Sequence, residues 1–246
     1  MKLLIDAGNT RLKWAFDADM RMQAIAHGGD IASALAHGFG AENISRKPSG
    51  IWVSNVLGAS GETALGNFAQ QRFGIAPQFI RPQAQAYGIT NRYTEPARLG
   101  ADRWAALVGA RHHYAGACCV VNCGTAVTVD ALDANGVFLG GAILPGFALA
   151  RAALLQGTAM LGSTGVSPTD SVFPLNTAEA IASGALYAAV GGIEALFARM
   201  SPRLAGARCI LAGGDAEAIA AALSIPATVD TALVLKGLRV IAEAHT

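Results

Sequence analysis

Apolar residues fall along this chain in short runs of two periods, and the alternation between those periods predicts an α/β protein. Leu3-Leu4-Ile5 is a continuous apolar run of buried-strand type closed by Asp6. Residues 12–16 alternate as a second strand does, and 22–27 suggest a third after a turn at 17–19. Asp30 is placed to cap a helix over 31–37. Residues 51–56 read as a buried strand, 62–73 as a helix, and 78–80 as a short strand after Pro77. Pro82, Gly88 and Pro96 make 81–97 an irregular connector into a helix over 101–114. The second half starts in the same way. Strands are predicted at 118–123, 125–132 and 138–144, the last after the turn Asp133-Ala134-Asn135-Gly136. A helix over 147–156, a Gly/Ser/Pro-rich loop through Pro174, and a long helix over 177–200 follow. A strand at 208–211, a helix at 216–223, a short segment at 225–229 and a helix to His245 complete the pattern.

The halves repeat a chemistry as well as an order. Asp6-Ala7-Gly8-Asn9-Thr10 follows the first strand, and Asn122-Cys123-Gly124-Thr125-Ala126 follows its counterpart, with Gly8 and Gly124 116 residues apart. A Gly-containing turn between antiparallel strands lets backbone N–H groups converge on a phosphate. Two domains are therefore expected, 1–115 and 116–246, each bearing one phosphate turn and clasping a nucleotide between them.

Composition narrows the classes further. The 246 residues are 52% hydrophobic and only 14% charged, with a formal net charge of +1, which excludes a disordered chain. No basic run offers a nucleic-acid surface. No uninterrupted apolar stretch of about 18 residues marks a membrane span, and an acid at position 6 interrupts any signal-peptide core, so a cytoplasmic protein is expected. Cys118, Cys119, Cys123 and Cys209 read as buried thiols, because strand alternation sends Cys118 and Cys119 to opposite faces. His112-His113 at a helix end are assigned no metal.

Sparse charge makes the few charged positions stand out. Asp6 at a strand exit either holds magnesium or caps the turn. Thr10, Lys13 and Thr125 are candidate phosphate contacts, Lys13 being equally well read as a solvated strand residue. Thr128 and Asp130 share a face of the next strand and border either the nucleotide or the sheet edge. Asp102 in Gly100-Ala101-Asp102-Arg103 is suited to a general base, with Arg103 for an anionic substrate; the alternative is dipole-favoured helix-start chemistry. Gly140 to Gly146 forms a third close turn, read chiefly as a strand-to-helix loop. Asn176-Thr177 has capping chemistry, and Gly184, Gly191 and Gly192 suit close packing at a helix or subunit interface.

Taken in order, Asp6 to Thr10, Gly100 to Arg103, Asn122 to Asp130, Gly140 to Gly146 and Asn176-Thr177 resemble the type III pantothenate kinase family over nearly the whole chain. The resemblance implies a duplicated actin-like, ribonuclease-H-like kinase fold of the acetate and sugar kinase, heat-shock and actin superfamily. It implies a homodimer that uses ATP to phosphorylate pantothenate. By the same resemblance Asp6, Ala7, Gly8, Asn9, Thr10, Arg11, Leu12 and Lys13 form the first phosphate loop, with Asp6 near magnesium, and Thr125 contacts ATP. Asp102 is the proton acceptor. Tyr93, Gly100, Ala101, Asp102, Arg103 and Thr177 surround pantothenate, partly across the dimer. Many members bind potassium or ammonium through an acid at the start of the second phosphate motif; here that position is Asn122, an amide with a weaker electrostatic hold on a cation. The rival readings are another small-molecule or sugar kinase of the superfamily and a non-catalytic regulatory factor.

Overall fold

The computed structural model describes residues 1–40, 47–157 and 171–245. These form two compact units, Met1–His113 with Ala232–Thr246, and Tyr114–Thr231. Part of the predicted loop through Pro174, residues 158–170, lies outside the described residues.

The first unit is built on strands β1 (Lys2–Ala7), β2 (Arg11–Phe16), β3 (Gln23–Ala26), β4 (Gly50–Asn55) and β5 (Gln78–Phe79), in the order β3-β2-β1-β4-β5. β2 pairs antiparallel with β1 and β3, whereas β1, β4 and β5 are parallel. Alternation divides the side chains of the sheet between its faces. Leu3, Ile5, Ala7, Leu12, Trp14, Ile51 and Val53 pack on helices α1 (Ile31–Gly38) and α2 (Gly58–Phe73) through Leu35, Leu65, Ala69 and Phe73. The opposite face carries Asp6, Lys13 and Ser54, and β1 and β4 pack there on α3 (Ala101–His113) and α7 (Leu233–Glu243).

Capping explains the start of α1. Asp30 Oδ1 accepts the Ser33 N–H at 3.0 Å, and Ser33 Oγ donates to Oδ2 at 2.6 Å. α2 begins four residues before its expected start, in Gly58-Ala59-Ser60-Gly61, where Gly58, Ser60 and Gly61 are weaker helix formers than alanine. Asn55 organises that entry, accepting from Leu57 N–H at 2.9 Å and donating to Gly58 O at 3.0 Å. The connector expected to be irregular holds a tight hairpin, β6 (Gln85–Ala86) and β7 (Ile89–Asn91), whose turn residues Tyr87 and Gly88 have φ of 52° and 72°.

The C-terminal boundary also differs from expectation, because α7 joins the first unit. α3 and α7 meet backbone to backbone at two glycines. A Cβ on Gly237 would lie 1.8 Å from Ala105 O, and one on Gly109 would lie 2.5 Å from Leu233 O. Lys2 Nζ donates to Ala242 O, tying the first strand to the last helix. Gly237→Ala must force these helices apart. A loss of about 1–3 kcal/mol is expected, read as a lower urea midpoint with unchanged slope.

The second unit contains β8 (Cys118–Cys123), β9 (Ala126–Leu132), β10 (Val137–Pro145), β11 (Arg208–Gly213) and β12 (Ala227–Val229). β9 pairs antiparallel with β8 and β10, and β8, β11 and β12 are parallel. The order β10-β9-β8-β11-β12 repeats that of the first unit. With β9 inside the sheet, Thr128 and Asp130 do not lie at an edge. Helices α4 (Phe147–Gly157), α5 (Thr177–Met200) and α6 (Ala216–Ala222) complete the unit.

Asn176 caps α5 through Glu179 N–H at 2.9 Å, as its residue type predicts. α5 is long and apolar enough to cross a bilayer by length and composition. Its Leu186, Ala189, Val190 and Ile193 nevertheless lie in the unit's core with Val121, Val127, Leu211 and Ile219. On its exposed side Glu194 accepts from Ser224 N–H at 2.6 Å, so the helix has one buried and one polar, hydrogen-bonded face. All four cysteines are free and buried, as read from the sequence.

Candidate active site

The first unit brings together two carboxylates 96 positions apart. Asp6 is the penultimate residue of β1, opposite Lys13 on β2 and Ser54 on β4. Because directly opposed residues share a face, these three side chains form a polar end to an otherwise apolar strip. Asp102 stands in the first turn of α3, which packs on that face.

Asp6 is only 8% exposed, and its Oδ1 has no hydrogen-bond partner; the buried Ser54 hydroxyl likewise has none. Burial is the main cause that pushes the Asp6 carboxyl up to about 7, and the charge of Asp102 adds to it. Lys13 and the adjacent Ser54 pull the other way. Lys13 therefore faces the acid instead of standing free in solvent. A buried carboxylate with an open oxygen is a chemically suitable ligand for a hard divalent cation.

The sequence around Asp102 fixes its direction. Trp104 N–H donates to Gly100 O at 2.9 Å, starting the helix, and Asp102 Oδ1 accepts Arg103 N–H at 2.8 Å. A Cβ on Gly100 would sit 2.7 Å from that same Oδ1, so glycine keeps the space the carboxylate occupies. Burial raises the Asp102 pKa, while the Arg103 N–H and the Arg103 charge hold it down. Arg103, 5% exposed, donates from Nη1 to Tyr93 Oη at 2.9 Å and lies 5.6 Å from the Tyr93 ring centre. Tyr93, Gly100, Ala101, Asp102 and Arg103 thus form one local cluster.

Asn91 is a contributor that sequence reasoning missed. Its Oδ1 accepts Tyr93 N–H at 3.0 Å and its Nδ2 donates to Pro96 O at 3.2 Å, which shapes the loop carrying Tyr93. The available signal was an Asx-turn residue two positions before an aromatic.

Within the first turn, Gly8 N–H donates to Arg11 O at 3.1 Å, and Asn9, Thr10 and Arg11 are exposed. Ala7 and Leu12 have their side chains in the core, which leaves only their backbones for a ligand. The turn of the second unit is equally tight, with Gly124 N–H on Ala126 O at 3.1 Å and Thr125 exposed. Two glycines hem it in. A Cβ on Gly146 would meet Gly124 O at 2.1 Å, and one on Gly213, at φ 102°, would meet Cys123 O at 2.1 Å. Gly213 was legible only as a Gly-Gly-Asp sequence at a strand end. Asn122 faces its register partner Thr128, whose Oγ1 is buried without a hydrogen-bond partner. Thr177 is exposed at the first position of α5.

The chain is similar to known proteins over most of its length. The type III pantothenate kinase family profile matches residues 2–199. A type III pantothenate kinase from Aromatoleum aromaticum is 46% identical, over 99% of this chain and 98% of its own. Among solved structures, a conserved Baf family protein from Campylobacter jejuni, assigned as a transcriptional activator, superposes with a TM-score of 0.62 at 23% identity, covering 99% of this chain and 98% of its own. A protein from Sinorhizobium meliloti assigned as a 2-dehydro-3-deoxygalactonokinase gives 0.61 at 15% identity, covering 100% and 99%. These structures establish a fold of the acetate and sugar kinase type. By its sequence over nearly its full length, the chain belongs to the type III pantothenate kinase family.

Proposed function

We propose that this protein transfers the terminal phosphoryl group of ATP to the terminal hydroxyl of pantothenate, the first step of coenzyme A biosynthesis. Within the family identity, the observation that carries the residue assignment is the meeting of Asp6 and Asp102 on one face of the first sheet. Phosphoryl transfer needs an aligned acceptor and stabilised oxygen charge rather than a covalent nucleophile. In this reading Asp102 accepts the proton of the pantothenate hydroxyl as its oxygen attacks the terminal phosphorus, and ADP leaves. Arg103, braced by Tyr93, orients the pantothenate carboxylate.

Asp6 holds magnesium, and the unpartnered Oδ1 supports that assignment. Magnesium supplies charge neutralisation for the phosphate oxygens. In this reading the exposed Asn9 and Thr10 of the first turn offer N–H and hydroxyl donors to ATP, Thr125 of the second turn is assigned an ATP contact, and Lys13 adds a positive charge. The shared strand order of the two units supports a duplicated actin-like, ribonuclease-H-like architecture. Exposed Ile143, Val172, Phe173 and Leu175, the last two at 83% and 95%, support a homodimer in which Thr177 reaches pantothenate across the interface. The protein is read as cytoplasmic.

The test is ATP-dependent phosphorylation by the pure protein of pantothenate and of a panel of sugars. Pantothenate turnover is expected, and turnover of a sugar alone overturns the reading. Running the assay in sodium, potassium and ammonium salts tests Asn122. Near-equal rates are expected because the amide lacks the carboxylate's charge, and strong potassium activation contradicts that expectation.

A further inference from the structure

His27 is an isolated polar residue in the first unit, buried to 8% exposure, and the reaction outlined above gives it no role. It follows β3, and its backbone N–H donates to Thr10 O at 3.2 Å. Its ring reaches the same turn, with Nε2 2.9 Å from Gly8 O. Nδ1 lies 3.1 Å from Gly29 N–H, a group that can only donate. Nδ1 must therefore accept, which leaves the proton of the neutral ring on Nε2, where it is donated to the Gly8 carbonyl. Gly28 and Gly29, at φ of 53° and 94° with open space around them, let the chain curl back so that this N–H reaches the ring. His27 O then accepts Asp30 N–H at 2.8 Å, joining the curl to the α1 cap. His27-Gly28-Gly29-Asp30 is thus a built device that fixes both the ring and its tautomer.

The consequence lies in one peptide plane. In a trans peptide the carbonyl of Gly8 and the N–H of Asn9 point in opposite directions. With the carbonyl held toward buried His27, the Asn9 N–H is directed to the exposed side of the turn, where an anion would be received. We infer that His27 is a positioning residue for nucleotide binding, which locks the Gly8–Asn9 peptide so that the Asn9 N–H serves as a phosphate donor. This rests on the reading of Gly8–Thr10 as an ATP phosphate turn.

Two substitutions separate the ring's two bonds. In His27→Gln the side-chain amide nitrogen takes the place of Nε2 and keeps a donor for Gly8 O. In His27→Asn the shorter amide keeps the acceptor for Gly29 N–H but cannot reach Gly8. His27→Asn is expected to weaken Mg·AMPPNP binding and raise the ATP KM by about tenfold, with kcat and the pantothenate KM within about twofold of wild type. His27→Gln is expected to restore the ATP KM to within about threefold. An unchanged ATP KM in His27→Asn overturns the inference. So does an equal rise in both KM values, or a His27→Gln protein as impaired as His27→Asn. Failure of both variants to fold assigns the ring to the fold and also overturns it. Wild-type protein that does not bind Mg·AMPPNP defeats the ATP reading of the turn itself, and the inference with it.

Discussion

Asp102→Asn is expected to lower kcat by about 10²- to 10⁴-fold while leaving Mg·AMPPNP affinity within about twofold of wild type. The amide keeps the shape of the acid, and its oxygen can still accept Arg103 N–H, the 2.8 Å bond that orients the side chain in the first turn of α3. What it loses is the capacity to take a proton from the acceptor hydroxyl. A second readout distinguishes this from a general disturbance. The charge of Asp102 is one cause of the raised Asp6 carboxyl, so the amide should let Asp6 ionise at lower pH. The pH at which magnesium-dependent nucleotide binding sets in should therefore move down. In the wild type, kcat/KM should rise with pH through the raised Asp102 pKa, because only the ionised carboxylate accepts the proton. Turnover near wild type in Asp102→Asn removes the assigned base.

Asp6→Asn should separate stability from function most sharply. In the unfolded chain an aspartate ionises near pH 4, whereas in the fold Asp6 does so near pH 7. Between these values the native state holds a proton that the unfolded state has released, so stability falls as pH rises through the window. Asparagine has no such titration. Relative to wild type, the ligand-free variant should show little change at pH 4 and gain up to about 4 kcal/mol above pH 7. The melting temperature at pH 8 should then rise by up to about 8–16 °C. Magnesium-dependent nucleotide binding should be largely lost in the same protein. Thermal melts at pH 4 and pH 8, with and without Mg·AMPPNP, measure both effects. A variant less stable at pH 8 would show that the carboxylate's local contacts outweigh its desolvation.

These two acids were legible in the sequence for the reason that makes them costly. Asp6 ends the apolar run Leu3-Leu4-Ile5, and Asp102 follows two small residues at a helix start in a chain that is only 14% charged. The central strands were legible through alternation, and α1 and α5 through Asp30 and Asn176. What escaped depends on contacts that no local pattern carries. The hairpin at 85–91 places Tyr87, a residue with a β-carbon, at positive φ. The start of α2 relies on Asn55 to organise a glycine-rich turn of low propensity. Gly146 and Gly213 are needed by the backbone of a turn that lies far from each in sequence. Lys13 was ambiguous because strand alternation gives a face without saying what lies across it; its register with Asp6 supplies that.

The closure of the first unit by α7 gives chain synthesis a fixed order. Residues 114–231 are all made before the helix that packs on β1 and α3 exists, so the second unit can complete its core while the first still lacks a wall. During that interval the face bearing Leu4, Trp52 and Asp6 has no α7 to cover it. A stop codon at position 232 would therefore damage the half of the protein translated first, and the Lys2–Ala242 contact would report that α7 has been made and has docked on β1.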